Sequence, residues 1–520
     1  MTATTVAVFV YFRLSCAKIL YMYIDCKEWT DAISHAFGED SDMITLQCTV
    51  AGKTATVMFL DGFIDKETFE NNILRPVKNL DALEYPYLDT IRQATLHTTP
   101  IEVLTDRTIG ISKLASGEIL LIIDGAEGVL MFSEKDYKSR AIAEPPVSSV
   151  LRGPREGFVE DIKTNVTMLR RRLATPDLRL VNTQVGKYSG TKICVAYIQG
   201  IVEPDLVQKV LNKINSINID GIIESSYVAR FLESKPTSLF NQVGDTEKPD
   251  ILTAKMLEGR IAVFVDGSPA VLTLPYVLYE SFQASEDYYV KSYRASLIRW
   301  ARLFAMLCAV ILPAIHVALA QFQYQTIPFK LLLPIATSSY SLPLTPALEM
   351  LLVLLVFEVL SETSIRMPKH MGMALSVVGA IVLGQTAVTA GILSTQTVFV
   401  IAVSTIGVYC VPDESNSASV LRIVFVALAG VLGLLGIVLA TIALLVYLSS
   451  MDSFGTAYLA PFAPLVTHDL QDGFIKAEVV QIKTRPYTIP TSNRVRMKMK
   501  NDKKVDTGNQ NQAHGEQRDD

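Results

Sequence analysis

The chain has 520 residues, 50% of them hydrophobic, and a formal net charge of −5. The apolar excess is gathered in the C-terminal half instead of being spread through soluble cores. That excludes an ordinary water-soluble chain and points to a polytopic membrane protein with a large soluble N-terminal region. So small a net charge decides little about partners, and nothing in the sequence asks for nucleic acid.

The first 24 residues are apolar, but Arg13 and Lys18 interrupt them and no small-residue cleavage site follows, so no signal peptide is expected. Residues 1–40 are assigned to no domain. Two tandem small α/β domains are expected next, over 41–145 and 146–290. In the first, Thr56-Val57-Met58-Phe59-Leu60 is a strand of β-branched and aromatic residues closed by Asp61-Gly62, and Ile64 to Ile73 reads as a helix. Ile119 to Ile123, closed by Asp124-Gly125, runs on into Gly128 to Phe132 as a hairpin of buried strands. The plan recurs. Ile193 to Ile198 ends at Gln199-Gly200, a helix runs from Glu203-Pro204-Asp205 to Ile214, and Ile261 to Val265 ends at Asp266-Gly267 before Ala270 to Leu274. Gly62 and Gly125 lie 63 residues apart and Gly200 and Gly267 lie 67 apart, the mark of a duplicated unit.

Between the units, Gly153 to Leu173 reads as an amphipathic linker helix. Pro154 suits its first turn, Arg170-Arg171-Arg172 suits its last, and Phe158, Ile162, Val166, Leu169 and Leu173 share one face. Six cysteines, at 16, 26, 48, 194, 308 and 410, form no CxxC pair and no metal spacing, and read as reduced structural thiols. Gly186 to Lys192 resembles a phosphate loop only superficially, because its glycine-to-lysine spacing is wrong. No enzymatic activity and no cofactor are expected.

The apolar block runs from Leu297 to Tyr447, within a transmembrane domain over 291–465 of about four to six helices. Met371 to Pro412 carries no Asp, Glu, Lys or Arg and is about 60 Å long as helix, enough for two spans with a break near Gly391 to Ser394. Ile423 to Met451 reads as one span of about 43 Å, and Leu303 onward as another. Leu348 to Leu360, short and bearing Glu349 and Glu358, fits an interfacial or re-entrant helix as well as a span. Lys291, Arg294, Arg299 and Arg302, and the basic tail over 466–520 with Arg494, Arg496, Lys498 and Lys500, argue for cytoplasmic ends. That tail is expected to be partly disordered.

Gly153-Pro154-Arg155-Glu156, with Asn165 and Arg170-Arg171-Arg172, resembles the signature of the A subunits of GerA-type spore germinant receptors. The likeness continues in order through Leu257-Glu258-Gly259-Arg260, Val265-Asp266-Gly267-Ser268-Pro269, Ser285-Glu286-Asp287-Tyr288-Tyr289, Phe357-Glu358, Gly384-Gln385-Thr386-Ala387-Val388 and Ser453-Phe454-Gly455. Thr389 and Thr395 depart from it, standing where the family has an acid and a proline. The stage V sporulation AF protein is a close relative in the same resemblance. It implies a multi-pass subunit of the bacterial spore inner membrane, with its soluble domains and tail on the cytoplasmic side. Its implied partners are a transporter-like B subunit and a lipoprotein C subunit. It also implies a homo-oligomer, a pentamer, that releases monovalent cations through a gated channel in contact with membrane lipid.

Two stripes of the helix from Met373 to Leu393 suit that task. Ser376, Ala380, Gly384, Ala387 and Gly391 are small residues that let helices approach closely. Val378, Val382, Gln385 and Thr389 combine apolar groups for closing a pore with polar groups for lining it; ordinary packing explains both stripes equally well. Glu358, a carboxylate in an apolar helix, becomes either an acidic ring in an oligomer or one half of an ion pair with Arg366 or another arginine.

Overall fold

Alternating runs of β-branched and aliphatic residues build two five-stranded sheets. The computed structural model describes residues 24–38, 42–64, 66–80, 82, 87–95, 101–134, 153–330, 342–366 and 385–497. The first sheet has the order β1-β2-β4-β5-β3, from β1 (Met43–Val50), β2 (Lys53–Leu60), β3 (Ile101–Leu104), β4 (Ile119–Ile123) and β5 (Val129–Phe132). The second repeats it as β6-β7-β9-β10-β8, from β6 (Leu178–Val185), β7 (Thr191–Ile198), β8 (Gly244–Thr246), β9 (Ile261–Val265) and β10 (Val271–Leu274). Every neighbouring pair is antiparallel.

The expected turns fall at equivalent places in the two sheets. Gly62 and Gly200 follow β2 and β7 with φ of 91° and 78°, and Gly125 and Gly267 follow β4 and β9 with φ of 74° and 87°. Glycine adopts that left-handed backbone without a Cβ clash.

The central strands are buried on both faces because helices cover both. On one face of the first sheet, Met58, Leu60, Leu120 and Ile122 pack with Trp29, Ile33 and Phe37 of α1 (Cys26–Phe37) and Leu114 of α2 (Arg107–Ala115). On the other, Val57, Phe59, Leu121 and Ile123 pack with Phe69, Ile73 and Ile91. Residues 24–37, assigned to no domain by the sequence, thus contribute a helix to this core. It is capped by the Asp25 carboxylate, which accepts from the Lys27 and Glu28 amides.

The expected linker helix is shorter and serves a different purpose. α3 (Ile162–Arg172) starts eight residues after Pro154, at the Asp161 side chain, which accepts from the Thr164 amide at 2.9 Å. The preceding segment stays extended because the Asn165 side-chain amide accepts from the Val159 N–H at 2.8 Å and donates to the Val159 carbonyl at 2.5 Å. Pro154 therefore lies outside the first helical turn. Phe158, Ile162, Leu169 and Leu173 join Leu252 and Met256 of α5 (Pro249–Leu257) against the second sheet, so α3 belongs to a core. α4 (Pro204–Asn215), where the sequence places a helix, buries Leu206, Val210 and Ile214.

The described residues of Met1–Leu232, Val243–Pro275 and Ile489–Val495 make one compact unit containing both sheets; those of Glu233–Gln242, Tyr276–Thr488 and Arg496–Asp520 make a second, helical unit. The helical unit holds α6 (Ser292–Gln321), α7 (Pro346–Arg366), α8 (Thr395–Tyr409), α9 (Ser415–Leu432) and α10 (Leu434–Ser449). Among the described residues, two helical stretches, Ser292–Gln321 and Pro412–Leu432, are long and apolar enough to cross a membrane by length and composition.

One expectation changes here, and two gain detail. The single span over Ile423 to Met451 is two helices broken at Gly433, whose φ of 62° favours glycine and where a Cβ would lie 3.2 Å from the Phe322 Cβ. The helix that contains the span expected from Leu303 begins earlier, at Ser292, and includes Arg294, Arg299 and Arg302. Within the tail expected to be partly disordered, residues 466–497 are folded: Asp469 accepts from the Tyr487 and Thr488 amides at 2.8 and 2.7 Å, and Ile489 is fully buried. The apolar run at Leu348 to Leu360 is the middle of the 21-residue α7, about 30 Å long.

Candidate functional site

The signature residues lie in the extended segment before α3, at Asn165 in its first turn, and in its last turn, where Arg170, Arg171 and Arg172 follow one another. Glu156 meets two arginines, Arg171 at 3.1 Å and Arg172 at 2.8 Å. Burial pushes its carboxyl up, but the two guanidiniums outweigh burial and hold it below the usual range. Arg170 is completely buried and grips Asp42 bidentately, with its third nitrogen donating to the Thr175 and Leu178 carbonyls. Gly153 has φ of 123°, and Arg155 is exposed.

Asp42 immediately precedes β1, so the Arg170 pair joins the first sheet's domain to the second's. Three further contacts cross the same boundary within this unit. Lys163 donates to Asp61 at 2.7 Å, Arg179 donates to the Ala36 carbonyl at 3.1 Å, and Gly62 sits against Thr167 so closely that a Cβ there would lie 2.2 Å from its Oγ1. The signature is therefore a clamp between two α/β domains. Asp42, Asp61 and Lys163 escaped sequence reasoning because their partners lie a hundred or more residues away.

In the helical unit, polar chemistry sits on apolar helices. Arg299, completely buried, meets Asp287 at 3.2 Å and Asp472 at 2.9 Å; Arg302 meets Asp287 at 2.8 Å. Lys476 donates to the Asp287 carbonyl at 2.7 Å, so segments on both sides of the helices are tied to the base of α6. Glu349, buried in the first turn of α7, accepts from the Ser394 amide at 2.6 Å, at the N-terminus of α8. The break expected near Gly391 to Ser394 falls there, with Gly391 at φ 66° and Ser394 capping α8. His316 packs 3.5 Å from the Thr397 hydroxyl.

Glu358 pairs with Arg422 on α9 at 2.7 Å, while Arg366 takes Glu362 one turn away. The Glu358 side chain remains 44% exposed and Arg422 only 3%. Two of the three Arg422 nitrogens, Nε and Nη1, are buried without a hydrogen-bond partner. A lone arginine inside an otherwise uncharged helix was the sequence signal for this partner. Among the pore and packing candidates, Ser376, Val378, Ala380, Val382 and Gly384 lie outside the described residues. Gln385 and Thr389 are exposed at the end of their helical segment, and Ala387 packs against the helical core. Gly391 lies beyond that segment in the turn, with open space around it within the chain.

The sequence profile described as "Bacillus/Clostridium GerA spore germination protein" matches residues 31–488. The chain belongs to this GerA family. It is 31% identical over 465 residues to spore germination protein KA of Bacillus subtilis (strain 168), covering 88% of this chain and 86% of that protein. It is 32% identical over 444 residues to the uncharacterized membrane protein YfkQ of the same organism, covering 85% and 86%. A solved structure, the N-terminal domain of the A subunit of the Bacillus megaterium spore germinant receptor GerK3, is similar at 28% identity and a TM-score of 0.38, over 47% of this chain and 92% of that one. The resemblance drawn from the signature residues is thereby confirmed as family membership. In this GerA-family chain the signature's geometry is that of a scaffold.

Proposed function

We propose that the chain is the A subunit of a nutrient germinant receptor in the spore inner membrane, acting with a transporter-like B subunit and a lipoprotein C subunit. Copies of it oligomerise around a gated path for monovalent cations. The observation that carries this reading is Glu358. It stands beside an exposed apolar stripe of α7, Leu348, Leu352, Leu355 and Val359, yet nearly half of its side chain is uncovered. A carboxylate on an apolar helix must face protein or water, because lipid offers it nothing. A ring of neighbouring copies supplies both, and the carboxylates then favour cations.

The Glu358–Arg422 pair gives the closed state a latch. Arg422 neutralises the carboxylate while the pair holds, and separating them exposes the negative charge to the path. Val378 and Val382 remain the candidate apolar gate and Gln385 and Thr389 its polar lining.

Potassium release from spores lacking this gene, challenged with a panel of amino acids and sugars, tests the role. Loss of release for one nutrient class makes this the A subunit of that receptor. Uniformly slower release points instead to an amplifying channel like the stage V sporulation AF protein. Unchanged release points to a non-conducting scaffold for the other subunits.

A further inference from the structure

At the base of α6 the usual placement of polar and apolar groups is reversed. Arg299 and Lys476 are buried and tied together through Asp287, while Leu465, Ile475, Val479 and Val480 of the segment after α10 are each more than half exposed. That exposure is built in. The Lys476 amide donates to the Ser296 hydroxyl at 2.9 Å, the Tyr288 hydroxyl donates to Asp472 at 2.9 Å, and the Phe474 ring lies 5.4 Å from Trp300 and 5.1 Å from Phe462. Ile475 is thus held outward between two anchored neighbours.

Polar groups inside and a fixed apolar patch outside mark a surface that meets a membrane or a protein rather than water. α6 decides between the two. Its exposed stripe, Tyr293, Leu297, Trp300, Phe304 and Leu307 at intervals of four, three, four and three, carries its polar-tipped rings in the first half and pure hydrocarbon beyond, with Lys291 and Arg294 exposed at its start. A helix entering a bilayer from water shows that order, cations and amphipathic rings at the headgroups and hydrocarbon deeper; a protein partner requires no such gradient. The segment after α10 is irregular, so it is unsuited to the hydrocarbon core, where unpaired backbone groups find no partner. We propose that residues 462–483 dock on the membrane interface as an anchor beside the entry of α6. Leu465, Ile475, Val479 and Val480 enter the outer acyl region, and the exposed Glu478, Gln481 and Lys483 stay among the headgroups. The proposal rests on the reading that α6 crosses a membrane.

The test uses the full chain with Trp300→Phe in phosphatidylcholine vesicles. Trp29, buried in the first core, remains as a background to be subtracted. Leu465→Trp, Val480→Trp or Phe304→Trp is then added singly, and emission is quenched from the lipid by phosphatidylcholine brominated near the carbonyl or the methyl end of its acyl chains, and from water by acrylamide. At 465 and 480, carbonyl-end bromine is expected to quench more than methyl-end bromine, as suits a depth of about 5–10 Å. At 304, bromine is expected to quench and acrylamide to have little effect. If Phe304→Trp is quenched by bromine while Leu465→Trp and Val480→Trp respond to acrylamide alone, α6 crosses the membrane and the anchor is refuted. Probes at 465 and 480 shielded from both quenchers refute it equally, in favour of a protein surface. A Phe304→Trp probe untouched by bromine overturns the membrane reading and the anchor with it.

Discussion

The guanidinium of Arg170 closes on the carboxylate of Asp42 through two hydrogen bonds, Nε to Oδ2 at 3.0 Å and Nη2 to Oδ1 at 2.8 Å, across 128 residues of chain. Removing one partner of a buried pair leaves an uncompensated charge, so Arg170→Ala is expected to cost about 3–5 kcal/mol. Arg170→Lys is expected to cost nearly as much, because an ammonium cannot reproduce the two-pronged grip and the two carbonyl contacts together. Urea titration of the full chain in detergent, read from Trp29 in the first core with Trp300 replaced by Phe, measures this. An unchanged midpoint for Arg170→Ala contradicts the clamp.

Gly62 and Gly200 occupy equivalent turns, but their surroundings differ. Both have positive φ, so Ala at either is expected to cost about 1–2 kcal/mol for backbone conformation alone. Around Gly200 there is open space, whereas at Gly62 a Cβ would meet Thr167 Oγ1. Gly62→Ala is therefore expected to destabilise more than Gly200→Ala, and Thr167→Ala is expected to recover the difference. The same urea titration separates the two contributions; equal losses at the two glycines rule out the steric one.

Glu224 precedes the Ser225–Leu232 helix and accepts from the Ser226 amide at 2.7 Å and the Ser268 hydroxyl at 2.8 Å. Burial raises its pKa, but these bonds and those of the Ser225 and Ser226 side chains prevail and bring it down to about 2. A carboxyl depressed in the folded state stabilises above its unfolded value, about 4.3, and that stabilisation is lost as pH falls toward 2. Wild type is expected to lose more stability between pH 5 and pH 2 than Glu224→Gln does. Limited proteolysis across that window reads the difference, and parallel profiles refute it.

The strands of both α/β domains were legible because buried central strands are continuous apolar runs and the Asp-Gly and Gln-Gly turns punctuate them. The edge strands β1, β3, β6 and β8 were not: Gln47, Asn182 and Gln184 dilute the pattern of β1 and β6 with polar groups, and β3 and β8 are only four and three residues long. The start of α3 was misread because Pro154 and the early acids imitate a helix N-terminus, while the decisive events are the Asp161 cap and the Asn165 brace. Hydropathy cannot see the break at Gly433, which is a matter of φ rather than polarity. Glu358 was visible as an anomaly; its partner Arg422, 64 residues on, required the packing of α7 on α9.

Arg422 makes the ion pair directional. With Arg422→Gln the carboxylate of Glu358 loses its counter-charge in the resting state, so dormant spores carrying that variant are expected to leak potassium without nutrient. Glu358→Gln combined with Arg422→Gln is expected to abolish the leak. Flame photometry of unstimulated spore suspensions measures it, and a tight Arg422→Gln spore speaks against the latch.

The most direct measurement is the rate of nutrient-triggered potassium release from spores carrying Glu358→Gln at the native locus, with protein level matched by immunoblot. If Glu358 lines the cation path, release slows markedly while the subunit remains at its normal level in the membrane. Release at the wild-type rate would place the path elsewhere and leave Glu358 as half of a structural ion pair.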